Sequence, residues 1–171
     1  MDPRYPIGPW SAPDQISSQM VKNWIFDIKS LPQLLLTESK RITNSNIQNQ
    51  YRDGSWTIRQ VIHHVADSHI NAYIRHKLCI STDQPTINPY PEEIWAEMKD
   101  VHSVPIEVSL QLIQSLHHRW SDFLESLSDT DYSRGFIHPQ HNRLILMQES
   151  IGMYSWHGRH HLEHVRIALG R

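Results

Sequence analysis

A chain of 171 residues, 39% hydrophobic and 20% charged, has the composition of a soluble globular protein and the length to bury one core. A net charge of −2 offers no basic face for nucleic acid, and no apolar run approaches the ~20 residues that a membrane span needs. The one cysteine, Cys79, excludes an internal disulfide and a thiolate metal cage, and suits a reducing cytoplasm.

Residues 1–13 hold Pro3, Pro6, Pro9 and Pro13 and read as an extended surface arm, not as a signal peptide. Asp14 is placed to cap a helix over Gln15 to Lys29, where Ile16, Met20, Trp24 and Ile28 recur near the 3.6 period. Ser30 and Pro32 predict a break or kink before a second helical piece at Leu31, Leu34, Leu35 and Leu36. Thr43 to Asn46 is turn-like. Thr57 and Gln60 match a capping box, so a long helix is expected to start there and run to about Ser81. Ile58, Val61, Ile62, Val65, Ala72 and Tyr73 supply its apolar face.

Thr82 to Pro105 reads as irregular, with Pro85, Pro89, Pro91 and Pro105 around a short helix from Glu92 to Lys99. Pro105 to Leu127 is a third long helix, with Ile106, Leu110, Ile113, Leu116, Trp120, Leu124 and Leu127 at spacings of three and four. After a connector, Gly135 to Pro139 and Leu144 to Leu146 fit a short extended pair around Gln140 to Arg143. Gln148 to Leu169 is the final helix. The fold expected is all-α: a single four-helix bundle over residues 1–171, with a long connector carrying a short extra helix. That connector is long enough to cross the whole bundle, so the helix order stays open.

The final helix carries Trp156-His157-Gly158-Arg159-His160-His161-Leu162-Glu163-His164. At about 100° per residue the four histidines share one narrow face. Two histidines four residues apart project side by side and can ligate one metal ion. His157/His161 and His160/His164 both have that spacing, and a catalytic zinc takes three protein ligands, so another helix must supply one. Candidates on the second helix are His63, His64, Asp67 and His69, and on the third His117 and His118. His117 and His118 stand beside Arg119 late in their helix and read as exposed. His63 and His64 differ by about 100°, so only one is expected to face inward. Asp67, three residues after His64, is placed to orient an imidazole or move a proton, against the plainer reading of a solvated carboxylate.

The stretch Tyr51-Arg52-Asp53-Gly54-Ser55-Trp56-Thr57-Ile58-Arg59-Gln60-Val61-Ile62-His63-His64-Val65-Ala66-Asp67-Ser68-His69 closely resembles the signature of the YfiT group of metal-dependent hydrolases within the DinB superfamily. Trp156-His157 with His160-His161, Tyr5-Pro6-Ile7-Gly8 and Arg134-Gly135-Phe136 with His138-Pro139 resemble it too. The resemblance implies a four-helix bundle and one divalent ion per subunit, held by His64, His157 and His161. It also implies a homodimer in the cytoplasm. The expected ion is zinc, with nickel as the alternative, since imidazole nitrogen suits several such ions. Gly158 departs from the pattern and costs a helix roughly 1 kcal/mol against Ala, leaving the ligand spacing unchanged.

Three neutral imidazoles leave a divalent ion its full charge, which favours a metal-bound water or a bound thiolate as nucleophile. The resemblance implies hydrolysis of a small molecule. Superfamily relatives that use low-molecular-weight thiols, maleylpyruvate isomerases and bacillithiol S-transferases, make thiol S-transfer the alternative. A non-catalytic bundle pinned by a closed four-ligand metal is the third reading. His160, His164, Trp56, Trp156 and Asp67 are the expected pocket residues, although core packing is the simpler reading of the aromatic ones.

Overall fold

The computed structural model describes residues 2–140 and 142–171; Met1 of the arm and His141 of the expected turn lie outside them. Four long helices dominate: α1 Ser18–Ser39, α2 Ile58–Ser81, α5 Ile106–Glu125 and α7 Met147–Ala168. Between them lie the short helices α3 Glu92–Trp95, α4 Lys99–Ser103 and α6 Asp129–Tyr132. An antiparallel hairpin joins β1 Gly135–His138 to β2 Arg143–Leu146, with Gly135 opposite Leu146 and His138 opposite Arg143.

Local chemistry explains most boundaries. The Thr57 hydroxyl accepts from Gln60 N at 3.3 Å while Gln60 Oε1 accepts from Thr57 N at 3.0 Å, the reciprocal box that starts α2. In α1 the cap is Ser17, which accepts from Met20 N, and not Asp14. Nor does Pro32 break the helix: α1 runs through it to Ser39, with Leu31, Pro32 and Leu35 all buried. Tertiary burial there outweighs the lost hydrogen bond. The single short helix expected over 92–99 is two turns, α3 and α4, separated at Ala96 to Met98. The arm is not extended throughout: Tyr5 N donates to Asp2 O and Gly8 N to Tyr5 O, folding it onto α7.

Helix directions follow from which residues meet. His63 meets Ser109, His69 meets His117 and His76 meets Trp120, so α2 and α5 run parallel. Asp27 meets Ser155 and Glu38 meets Arg166, so α1 and α7 run parallel. His64 and His69 meet His157 while His76 meets Ser150, so α2 and α7 run antiparallel. Around the bundle the order is α1, α5, α2, α7, with α1 and α2 on a diagonal. A parallel α2–α5 pair obliges residues 82–105 to return the length of the bundle, and the parallel bridge between Thr86 and Ile137 ties the start of that return to the hairpin.

The core has two apolar halves. One gathers Leu31, Leu35, Val61, Ile62, Val65, Ile113 and Leu162; the other gathers Val21, Ile25, Ile28, Ala72, Trp120, Leu124 and Ile151. Each buried Leu or Ile contributes about 1.5–3 kcal/mol relative to exposure. Between the halves, at mid-height on three helices, lie His64 and His69 of α2, His117 of α5 and His157 of α7. Among the described residues no helix is long and apolar enough to cross a membrane.

Candidate metal centre

α2 delivers His64 and α7 delivers His157 and His161 one turn apart, and the antiparallel crossing brings them together. His64 Nε2 lies 3.2 Å from His157 Nε2. The ligand nitrogens of His64, His157 and His161 all lie within 4.8 Å of one another. Two imidazoles bound tetrahedrally at 2.0–2.1 Å from zinc have nitrogens about 3.3 Å apart, so the observed spacing fits a shared cation. His160, His161 and His164 form a second group within the same limit. It comes from one helix alone, and two of its rings are engaged elsewhere. His160 stacks on Trp156 at 4.4 Å, and His164 lies flat on Tyr51 at 3.7 Å and 5°.

Burial keeps these rings in the neutral, ligating form. It lowers the His64 pKa to about 4, with the His160 charge adding to the effect. Burial first, then His64 for His157 and His157 for His161, holds the other two well below the usual imidazole range.

Behind His157 runs a chain of three hydrogen bonds that sets its tautomer. His157 Nδ1 is 3.0 Å from His69 Nε2, His69 Nδ1 is 2.8 Å from His117 Nε2, and His117 Nδ1 is 2.6 Å from the Ile28 carbonyl oxygen. A carbonyl oxygen only accepts, so His117 must donate from Nδ1. With these rings neutral, His117 Nε2 then accepts from His69, and His69 Nε2 accepts from His157. The bare lone pair of His157 is thereby left on Nε2, the atom facing His64. Pro32 explains why the carbonyl is available. In an α-helix the Ile28 oxygen would accept from the nitrogen four residues on, and that residue is proline, which has no N–H.

The three histidines open into a cavity of about 520 Å³, walled by Tyr5 of the arm, Tyr51 and Trp56 of the loop before α2, and Trp156, His160 and His164 of α7. Trp56 lies 4.6 Å from the His64 ring. The Trp156 indole N–H donates to Gly8 O at 2.9 Å, fastening the arm over the site. Gly158 has a packing reason: a Cβ there would come within 2.6 Å of Leu31 on α1.

Other candidates lie elsewhere. Asp67 is half-buried and does not line this cavity; burial, then the Asp100 charge, raises its pKa to about 6. His63 and His64 are both buried, against the expectation that only one faces inward: His63 turns to Ser109 of α5, 2.7 Å away, and His64 to α7. His118 is exposed as expected, but His117 is fully buried. The expectation failed because its anchoring carbonyl lies 89 residues away on another helix.

A helix bundle with imidazoles in its interior, three of which face a cavity at metal-ligand spacing, defines a class of bundles with a candidate metal site. The chain belongs to the DinB superfamily, whose model matches residues 28–165. It is 47% identical over 165 residues to a candidate metal-dependent hydrolase of Oceanobacillus iheyensis, covering 96% of this chain and 95% of that protein. It is 41% identical over 161 residues to YfiT of Bacillus subtilis, named in the same way, covering 94% and 90%. The solved structure of that YfiT, described as having an unusual four-helix bundle topology, superposes with a TM-score of 0.94 at 39% identity over 98% of this chain and 96% of that one. A mycothiol-dependent maleylpyruvate isomerase shares the fold, with a TM-score of 0.67 at 14% identity over 85% of this chain and 60% of that one.

Proposed function

We propose that this chain is a metal-dependent hydrolase of a small-molecule substrate, in which His64, His157 and His161 hold one divalent cation, zinc by donor type with nickel as the alternative. The observation that carries the reading is the 3.2 Å approach of two imidazole Nε2 atoms on different helices, His64 buried and His157 half-buried, with a third imidazole beside them at the floor of a cavity. When bound, the cation supplies Lewis-acid polarisation and a charge that favours the anionic form of a nucleophile.

The chain's own residues do the rest. His117 and His69 hold the His157 proton on Nδ1. Trp56, Trp156 and Tyr51 narrow the cavity and limit water. His160 and His164 line it as neutral imidazoles, their pKa values lowered to about 4 first by burial, and His160 Nδ1 has no hydrogen-bond partner. They are the proton acceptors available at the site. Three ligands leave a position open, which supports chemistry over a purely structural metal. A low-molecular-weight thiol suits the same open position as water, with S-transfer as the outcome.

The test is elemental analysis of zinc-loaded protein, followed by turnover of an activated ester with and without a low-molecular-weight thiol. One ion per chain is expected, lost in His64→Ala, His157→Ala and His161→Ala and kept in His118→Ala. Equal metal in His157→Ala and the parent protein would sink the ligand set. Product formed only with thiol present would replace hydrolysis by S-transfer.

A further inference from the structure

Arg75 of α2 is 7% exposed, and a guanidinium is charged at any physiological pH. Elsewhere in the molecule buried carboxylates are matched: Glu38 by Arg41 and Arg166, and Glu163 by Arg166. Arg75 is not matched. Its Nη2 donates to the Asn88 carbonyl at 3.2 Å and its Nη1 reaches the Tyr154 hydroxyl at 3.5 Å, while Nε has no partner. Among the described residues no carboxylate stands within 4.0 Å of it. Five N–H donors therefore meet two neutral oxygens, and a buried charge without a counter-charge is costly to keep.

The place of the missing charge is a cavity of about 490 Å³ bounded by Arg75, Ser68, Tyr90, Tyr154 and His157. Its size suits a small molecule. Burial raises the pKa of both phenols, Tyr90 and Tyr154, so both stay protonated and can donate. Glu92 and Glu93 also line the cavity. Their charge opposes a dianion such as phosphate more than a single carboxylate. Of the three candidate ligands His157 alone lines both this cavity and the 520 Å³ one, so a ligand anchored at Arg75 has His157 at the far wall of its cavity.

We propose that this cavity is a carboxylate subsite: Arg75 holds the acid group of a monocarboxylate substrate, the Tyr90 and Tyr154 hydroxyls donate to it, and the rest of the molecule extends to His157. The proposal rests on the hydrolytic reading above and names the substrate class of that same site.

The probes are butyrate, its neutral isostere butyramide and inorganic phosphate, titrated into zinc-loaded and chelator-treated protein. Binding is read by thermal shift and by the Arg75 Nε–H resonance in 15N spectra. Butyrate is expected to stabilise both forms and to shift that resonance, butyramide to do neither, and phosphate to bind more weakly than butyrate. Arg75→Gln should weaken butyrate at least tenfold, and Arg75→Lys less. The resonance in the parent protein decides the matter if either variant fails to fold. Butyrate binding that needs zinc and leaves the Arg75 resonance unmoved would place the acid on the metal, overturning the subsite while keeping the metal reading. Phosphate binding tighter than butyrate, or no binding by butyrate, would also overturn it. Butyrate binding retained in His64→Ala would uphold the subsite even if the metal reading failed.

Discussion

His69, His76 and His117 are buried in the same bundle interior as the candidate ligands, yet every ring nitrogen of these three has a partner inside the protein. The cavity-facing set differs. His64 and His157 point Nε2 at Nε2, and His160 Nδ1 has no hydrogen-bond partner. Both sets are buried, and burial lowers the pKa of both. What separates a histidine that fastens the bundle from one poised for a ligand is therefore the fate of its second nitrogen. His157 belongs to both sets: Nδ1 is satisfied inward by His69, and Nε2 is left for the cavity.

Acid should loosen the fastening set along with the cavity-facing one. The folded pKa of His76 is lowered to about 3 and that of His117 to about 4, in each case mainly by burial, whereas an unfolded histidine titrates near 6.5. Below pH 6.5 the unfolded state binds more protons, so the stability these two contribute is full above 6.5 and falls as the pH drops. Between pH 6.5 and 5 each should lose about 1.6 kcal/mol, read as a falling urea midpoint. A midpoint that stays level over that range would mean these rings are not held neutral.

Metal removal probes the other set. A cation bound only by the native state at about 100 times its dissociation constant adds about 2.7 kcal/mol, so chelation should lower the melting temperature by about 5–11 °C. Helical circular dichroism at low temperature should persist, because the two apolar halves remain.

The link between the sets can be cut alone. His117→Leu frees His69, and with it the His157 tautomer, and should weaken metal binding by about tenfold to a hundredfold. Its sequence neighbour His118→Ala should change nothing. If both variants bind metal as the parent does, the hydrogen-bonded chain has no hold on the site. Smallest is Ser150→Ala. Trp120 donates to His76 Nδ1, so His76 Nε2 must donate to Ser150. The alanine should cost about 1 kcal/mol and leave metal content untouched.

Much of this was legible in the sequence where the cause is local. The Thr57–Gln60 box, the hairpin around Gln140 to Arg143 and the four helical stripes depend on neighbours within a few residues. The i,i+4 spacing of His157 and His161 is likewise local, but spacing alone left His160 and His164 as rivals, and the choice of His64 came from family resemblance. What stayed hidden depends on distant partners. Pro32 reads as a helix breaker until α7 and α5 are packed on α1. His117 reads as a surface residue until the Ile28 carbonyl is beside it. Arg75 carries no pattern at all, because the signal is a missing counter-charge. Tyr51 and Tyr5 become walls only once their loops fold over α7.

The ligand set also has a history in time. His64 and His157 are separated by 93 residues, and α7 is the last long helix of the chain. While a ribosome is still making α5, a nascent chain holds one of the three proposed ligands and has no partner helix to oppose it. The ion then cannot nucleate the fold. The bundle must assemble from its apolar halves and its internally bonded histidines, paying the loop-closure entropy without help from the metal. On the proposed ligand set, the cation would enter through the mouth of a bundle already assembled from its two apolar halves.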